Sequence, residues 1–349
     1  IIVDRIGAKK AGTIFAFFGL AGAVISALSP RLPVMLAGRF IFGLGIASLS
    51  VASTTGISQW FSGEKLSFVF GLNLTISRLG SLAAQVSPTW AREAYTSWRA
   101  PLLIAIGFGV IGVLAMGVYW ALENRAEGRY QVGLAQAHGP SARKEAPGFS
   151  RAYWLVVLVC VAFYSGIFPF QTFAQKFFVE AHGAAAARAS LLVGTLTVIA
   201  MIATPLCGLL VDRVGKRALL MMLGTAMQVP VYWMMTRPGS DLFLPMTLLG
   251  LSFSLIPAIL WPYVMLLVPP GKLGKALGLM SLVQSIGLTG FNFLIGWAND
   301  VSRASAANPS GYNLGMGLFT LTSLLGFLFA FLLRRHEKES ARRGSPEAR

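Results

Sequence analysis

The chain has 349 residues, of which 55% are hydrophobic and 12% charged, and its formal net charge is +16 at neutral pH. A charged fraction far below the soluble average of about 25% excludes an ordinary water-soluble domain. The surplus of Lys and Arg would suggest nucleic acid in a soluble protein, but here it has a topological explanation that needs no nucleic-acid partner.

In chain order, Val3-Asp4-Arg5-Ile6-Gly7-Ala8-Lys9-Lys10 opens the sequence as a polar hinge turned at Gly7. Apolar stretches of the ~20 residues needed to cross a bilayer follow near 11–29, 33–57, 66–92 and 98–123. Glu123 to Arg151 is a polar interruption that reads as a cytoplasmic connector. Six further apolar stretches lie near 152–180, 187–211, 218–236, 242–269, 273–300 and 311–333, which makes ten predicted spans. Between the second and third of these six the hinge recurs as Val211-Asp212-Arg213-Val214-Gly215-Lys216-Arg217, 208 positions after the first copy. The tail from Arg334 is rich in charge and is predicted to be disordered and solvated. The expected segments are thus 1–123, a connector at 124–151, 152–335, and a cytoplasmic tail at 336–349.

The duplication extends past the hinges. Gly43-Leu44 recurs as Gly250-Leu251, Lys65-Leu66 as Lys272-Leu273, Gly71-Leu72 as Gly278-Leu279 and Gly80 as Gly287, each 207 residues on. Two copies of one bundle are expected of a transporter, since a site between halves can be opened to either side by rocking one against the other. Asp212 lies 60 residues after Ala152, whereas three residues precede Asp4. Repeat symmetry therefore predicts about 57 further residues with two more spans, giving twelve in all.

If the hinges, Lys65, the connector, Lys272 and Arg334 face the cytoplasm, that side holds 20 of the 29 Lys and Arg, against 6 in the opposite loops and three within spans. This is the positive-inside bias, so basicity reports orientation and contact with lipid headgroups, with both termini cytoplasmic. Cys160 and Cys207 fall in apolar spans and read as small buried hydrophobes. No catalytic set, metal site or cofactor motif follows from the residue pattern. The compact loops and Ala- and Gly-rich composition suggest a bacterial inner membrane more than a lysosome.

Several residues within spans stand out. Arg78 lies about 12 residues, or roughly 18 Å, into its span, near the middle of the hydrocarbon core. A guanidinium there is costly and should face water, bind or pair. Its repeat mate is Ser285, an asymmetry that fold maintenance explains poorly and a bidentate grip on a substrate carboxylate explains well. The alternative is a structural arginine capping carbonyls. Tyr164, Trp261, Asn73, Gln171, Gln284 and Asn292 are candidate cavity-lining residues, with packing or interhelical hydrogen bonding as the alternative. Asp4, Arg5 and Gly7 and their counterparts Asp212, Arg213 and Gly215 are candidate latch and turn residues. Arg39 and Lys176 are candidate gating charges, the alternatives being a structural role and a snorkelling side chain. Gly43 and Gly45 are expected to bring helix backbones together, and Pro169 to kink its helix at a gate.

The hinge, the run Gly38-Arg39-Phe40-Ile41-Phe42-Gly43-Leu44-Gly45 and the duplicated halves together resemble the major facilitator superfamily. Trp60-Phe61, Val69-Phe70-Gly71-Leu72, Arg78-Leu79-Gly80-Ser81, Phe168-Pro169-Phe170, Lys176, Phe178, Gly250-Leu251-Ser252, Leu260-Trp261-Pro262 and Gly278 look like its branch containing the animal lysosomal dipeptide transporter. The resemblance implies an all-α membrane protein of two pseudo-symmetric six-helix bundles working by alternating access. It also implies that Arg78 binds a peptide carboxylate. The branch's carboxylate for the peptide ammonium is replaced by Ala47, which weakens the inference to peptides. All 13 acidic residues fall in predicted loops or helix ends, leaving no intramembrane proton carrier.

The expected function is transport of a small anionic or zwitterionic, carboxylate-bearing solute, dipeptide-like, by uniport or exchange. Proton-coupled efflux, monocarboxylate transport and a non-transporting sensor of the same fold are the alternatives. A membrane enzyme would need converging His, Ser or acidic residues inside the spans, where His and acidic residues are missing.

Overall fold

The computed structural model describes residues 6–60, 64–126, 148–237, 239, 241–268 and 273–342. Ten long helices follow in order: α1 Ala8–Leu28, α2 Leu32–Trp60, α3 Glu64–Gln85, α4 Ala100–Ala126, α5 Arg151–His182, α6 Ala186–Val214, α7 Arg217–Met235, α8 Phe243–Leu267, α9 Leu273–Val301 and α10 Tyr312–Arg342. Among the described residues, nine of them are found to be long and apolar enough to cross a membrane.

The chain divides into two compact units, one of Ile1–Ser77 with Trp90–Ala142, the other of Arg78–Thr89 with Arg143–Arg349. In the first unit α1 packs on α2 and α4. The α1–α2 contact is a backbone-to-backbone approach. A Cβ on Gly45 would fall on the backbone of Gly19 and the carbonyl of Phe15, and one on Gly38 would fall on Ser26 and Gly22. Gly43, expected to share this role, instead points into open space, since it lies about 200° around the helix from Gly45.

The second unit has a continuous core built on α5, which packs against α6, α8, α9 and α10. Ser150 caps α5 by accepting from the Tyr153 N–H at 3.3 Å, and Gly183 ends it with φ +64°. The interior is aromatic: Phe170 meets Phe178, Tyr232 and Phe319 edge-on. The buried Tyr232 hydroxyl donates to the Gly166 carbonyl at 2.7 Å and accepts from Gln228 Nε2 at 3.0 Å, so the hydroxyl is satisfied among apolar neighbours, while Gln228 Oε1 has no partner among the described residues.

Two expectations from sequence are corrected. The span expected over 66–92 ends as a helix at Gln85, and a separate turn covers Ser87–Trp90. Pro88 lacks an N–H and disfavours helical geometry in the residue before it, while Ser87 Oγ donates to the Ala84 carbonyl at 2.6 Å and closes the helix end. The tail from Arg334 is helical through Arg342, held by an Arg335–Glu339 pair at 2.8 Å and by a hydrogen bond from Tyr263 to Glu337. Glu123, expected in a loop or at a helix end, lies in the last turn of α4 and is buried, with Oε2 lacking a partner among the described residues.

Candidate functional site

Residues 78, 82, 85 and 86 of α3 and its end form one stripe, and residues 194, 197, 200 and 204 of α6 form another. The two stripes run antiparallel. Arg78 bonds at Thr204 and Gln85 at Thr197, whose hydroxyl donates to Gln85 Oε1 at 2.6 Å. Gly194 makes room for Val86 and Leu82.

Arg78 is half-buried and uses one end of its guanidinium for anchoring. Nη1 donates to the Ala200 carbonyl at 2.8 Å and to Thr204 Oγ1 at 2.7 Å. Thr204 spends its own proton on the same carbonyl, at 2.5 Å, so its lone pairs are turned to the arginine. No carboxylate among the described residues pairs with Arg78. The parallel N–H bonds of Nε and Nη2, the edge that fits both oxygens of a carboxylate, have no acceptor among the described residues. The anchoring contacts are those of a carbonyl-capping arginine, while the open edge is suited to an anion.

Tyr164 lies within electrostatic reach of Arg78. It is buried, and its hydroxyl accepts from Trp261 Nε1 at 3.3 Å, leaving its own proton without an acceptor among the described residues. One turn on, Phe168 stacks on Tyr164 with ring centroids 5.5 Å apart and an interplanar angle of 7°. Phe253 of α8 stands edge-on to both rings. Gln171, on the same face of α5 as Tyr164, is half-buried.

The other residues singled out from sequence are dispersed. Gln284 is half-buried on α9, where Ser285, the repeat mate of Arg78, is exposed. Asn292 spends Nδ2 on the Leu288 carbonyl of its own helix at 2.9 Å. Asn73 is half-buried on α3, in the first compact unit. Arg39 is exposed on α2, as is Ala47. Lys176 is exposed and pairs with Glu180 at 4.0 Å; Glu180 in turn accepts from Tyr312 at 2.5 Å. Pro169 sits inside α5, which continues as one helix through it. Gly7 precedes α1 with φ +81°, and Gly215 ends α6 with φ +67°, its N–H donating to the Val211 carbonyl. Arg213 is exposed. Asp4 and Arg5 lie outside the described residues, as does the side chain of Asp212.

Thr204, Thr197, Gln85 and Phe253 were not singled out from sequence. Thr197 and Thr204 are seven apart and share a helix face, a spacing that marks a polar seam.

The comparisons agree with this architecture. The model of the Major Facilitator Superfamily matches residues 1–291. The "Lysosomal dipeptide transporter MFSD1" of Danio rerio is 32% identical over 313 residues, covering 86% of this chain and 68% of the relative. Its Homo sapiens counterpart is 30% identical over 312 residues, covering 86% and 67%. Among solved structures, a bacterial homolog of the human lysosomal transporter Spinster, inward-facing and unoccupied, superposes with a TM-score of 0.75. It is 13% identical and is aligned over 96% of this chain and 84% of that one.

Proposed function

The chain belongs to the Major Facilitator Superfamily and is a multi-span membrane transporter, not an enzyme; from that premise we propose that it carries a small carboxylate-bearing, dipeptide-like solute, by uniport or exchange. The observation that carries this reading is the divided guanidinium of Arg78. Nη1 is fixed to Ala200 and Thr204, and the Nε–Nη2 edge is left for a ligand. A charge held at mid-span is costly, and a bound carboxylate offsets that cost. Tyr164 supplies a second donor nearby. The relatives named for dipeptide transport support the substrate class. Trp261, Gln171, Gln284, Asn292 and Asn73 are proposed to line the path. Asp4, Arg5, Gly7, Arg39, Pro169, Lys176, Asp212, Arg213 and Gly215 are proposed to serve the change of access. The membrane is proposed to be a bacterial inner membrane, on composition.

Uptake of a labelled dipeptide into proteoliposomes tests the reading. Arg78→Ala is expected to lower uptake efficiency roughly 10- to 100-fold, the scale of losing charge-assisted hydrogen bonds to a ligand. Arg78→Lys, which keeps the charge but loses the fork, is expected to be nearly as impaired. Undiminished uptake by both purified, folded variants would remove Arg78 from the site.

A further inference from the structure

We propose that the stacked pair of Trp233 and Arg237, at the end of α7 away from the second hinge, binds the phosphate of an anionic glycerophospholipid whose acyl chain lies along the exposed face of that helix. The site is independent of Arg78 and of the solute carried.

The Arg237 Cζ sits 4.0 Å from the centroid of the Trp233 ring. A guanidinium seated on an indole keeps its N–H groups free, so the stack orients the donors without consuming them. Arg237 is exposed and makes no hydrogen bond or ion pair among the described residues, and the Trp233 indole N–H has no acceptor among them. A second such pair, in the other compact unit, is committed. There the Arg99 Cζ lies 5.0 Å from the Trp98 ring, and Nη2 donates to the Leu28 carbonyl at 3.1 Å, which caps the end of α1. One pair is a strut; the other stands with open donors.

The partner's chemistry follows from what surrounds the pair. α7 packs on α8 and α10, and an uncovered face carries Leu223, Pro230 and Trp233 in a stripe that ends at Arg237. Leu223 is 48% and Trp233 57% exposed. Positions 223, 230 and 237 are seven apart and 233 is three past 230, so all four share one side of the helix. Trp233 follows Arg217 by 16 residues, about 24 Å, which carries it across most of the ~30 Å core to the interface where aromatic rings sit at headgroup level. Hydrocarbon accounts for the apolar stripe but not for a cation with open donors at its end. A phospholipid satisfies both, since its chain and phosphate lie in that order along one line. Charge selects the headgroup. No carboxylate among the described residues pairs with Arg237, and Asp241, close in sequence, accepts from the Phe243 N–H at 2.9 Å. An ammonium therefore finds no partner here, and phosphatidylglycerol is preferred to phosphatidylcholine.

The test titrates the purified full-length protein in detergent with phosphatidylglycerol and reads bound lipid by native mass spectrometry. Arg237→Gln and Trp233→Ala are each expected to weaken the first bound lipid about tenfold, the scale of losing hydrogen bonds to a charged group. Arg188→Gln removes an exposed charge at the start of α6, on the same side of the membrane but without a stacked ring, and is expected to leave binding unchanged. Diacylglycerol with the same chains should bind the unaltered protein no better than phosphatidylglycerol binds Arg237→Gln. Glycerol 3-phosphate, which has the phosphate without the chains, should not compete. Unweakened binding by Arg237→Gln and Trp233→Ala would overturn the site. Equal weakening by Arg188→Gln would reduce the effect to bulk charge, and competition by glycerol 3-phosphate would make the ligand a free phosphate; either result overturns the proposal. Brominated phosphatidylglycerol gives the location, since its quenching of tryptophan fluorescence should fall in Trp233→Phe, and quenching that does not fall would place the lipid elsewhere.

Discussion

At the residue scale, the position of Arg78 depends on Thr204 as much as on its own helix. Thr204 donates to Ala200 and accepts from Arg78, so its hydroxyl locks the guanidinium in one orientation. Thr204→Val should leave the fork free to swing and raise the KM for a carboxylate substrate roughly 3- to 10-fold, with Thr204→Ser restoring it. A KM for Thr204→Val equal to that of the unaltered protein would show that the anchor is dispensable. Arg78 was identifiable in the sequence because an arginine at that depth conflicts with its apolar surroundings. Its partners were not: Thr204 is 126 positions away, and a threonine in a membrane helix commonly bonds back to its own helix, as Thr247 and Thr320 do here.

At the element scale, helix positions were readable because runs of about 20 apolar residues have one stable solution in a bilayer. The facing of those helices was much less readable. Leu and Ile suit lipid and a neighbouring helix equally well, so a helix such as α2 or α4 carries no stripe to mark its partner. Small residues are the exception, and even there the phase must be counted: Gly38 and Gly45, seven apart, meet α1, while Gly43 does not. Gly45→Ala should therefore destabilise the protein by about 1–3 kcal/mol, whereas Gly43→Ala should be neutral or slightly stabilising. Thermal unfolding of the two variants side by side tests this, and equal losses would refute the α1–α2 contact. The end of α10 gives a second case. Composition marked 334–342 as a solvated tail, yet Glu337 is tied to Tyr263 of α8. Tyr263→Phe should cost about 1 kcal/mol and expose the last turns of α10 to protease. Unchanged proteolysis would mean that the helix end is held by other contacts.

At the scale of the whole molecule, the duplicated hinges made the two-bundle fold of the Major Facilitator Superfamily legible before any coordinates. The compact units divide the chain within α3, after Ser77, a boundary that no compositional shift announces. Energy coupling also belongs to this scale. Glu123 is the buried carboxylate of α4, but it lies in the helix's last turn, away from mid-span. Transport is accordingly expected to run on the substrate gradient alone in full-length protein, with Glu123→Gln as active as the unaltered chain. Strong stimulation by an imposed pH difference, lost in Glu123→Gln, would show a proton-coupled carrier instead.

The imide at position 169 has a consequence for turnover. Proline has no N–H to give the Ser165 carbonyl four residues back, and the Ser165 hydroxyl is itself buried without a partner among the described residues. The rod that carries Tyr164 is thus under-bonded at its centre. Pro169→Ala should restore the missing rung, so that the carrier melts at a higher temperature and cycles more slowly.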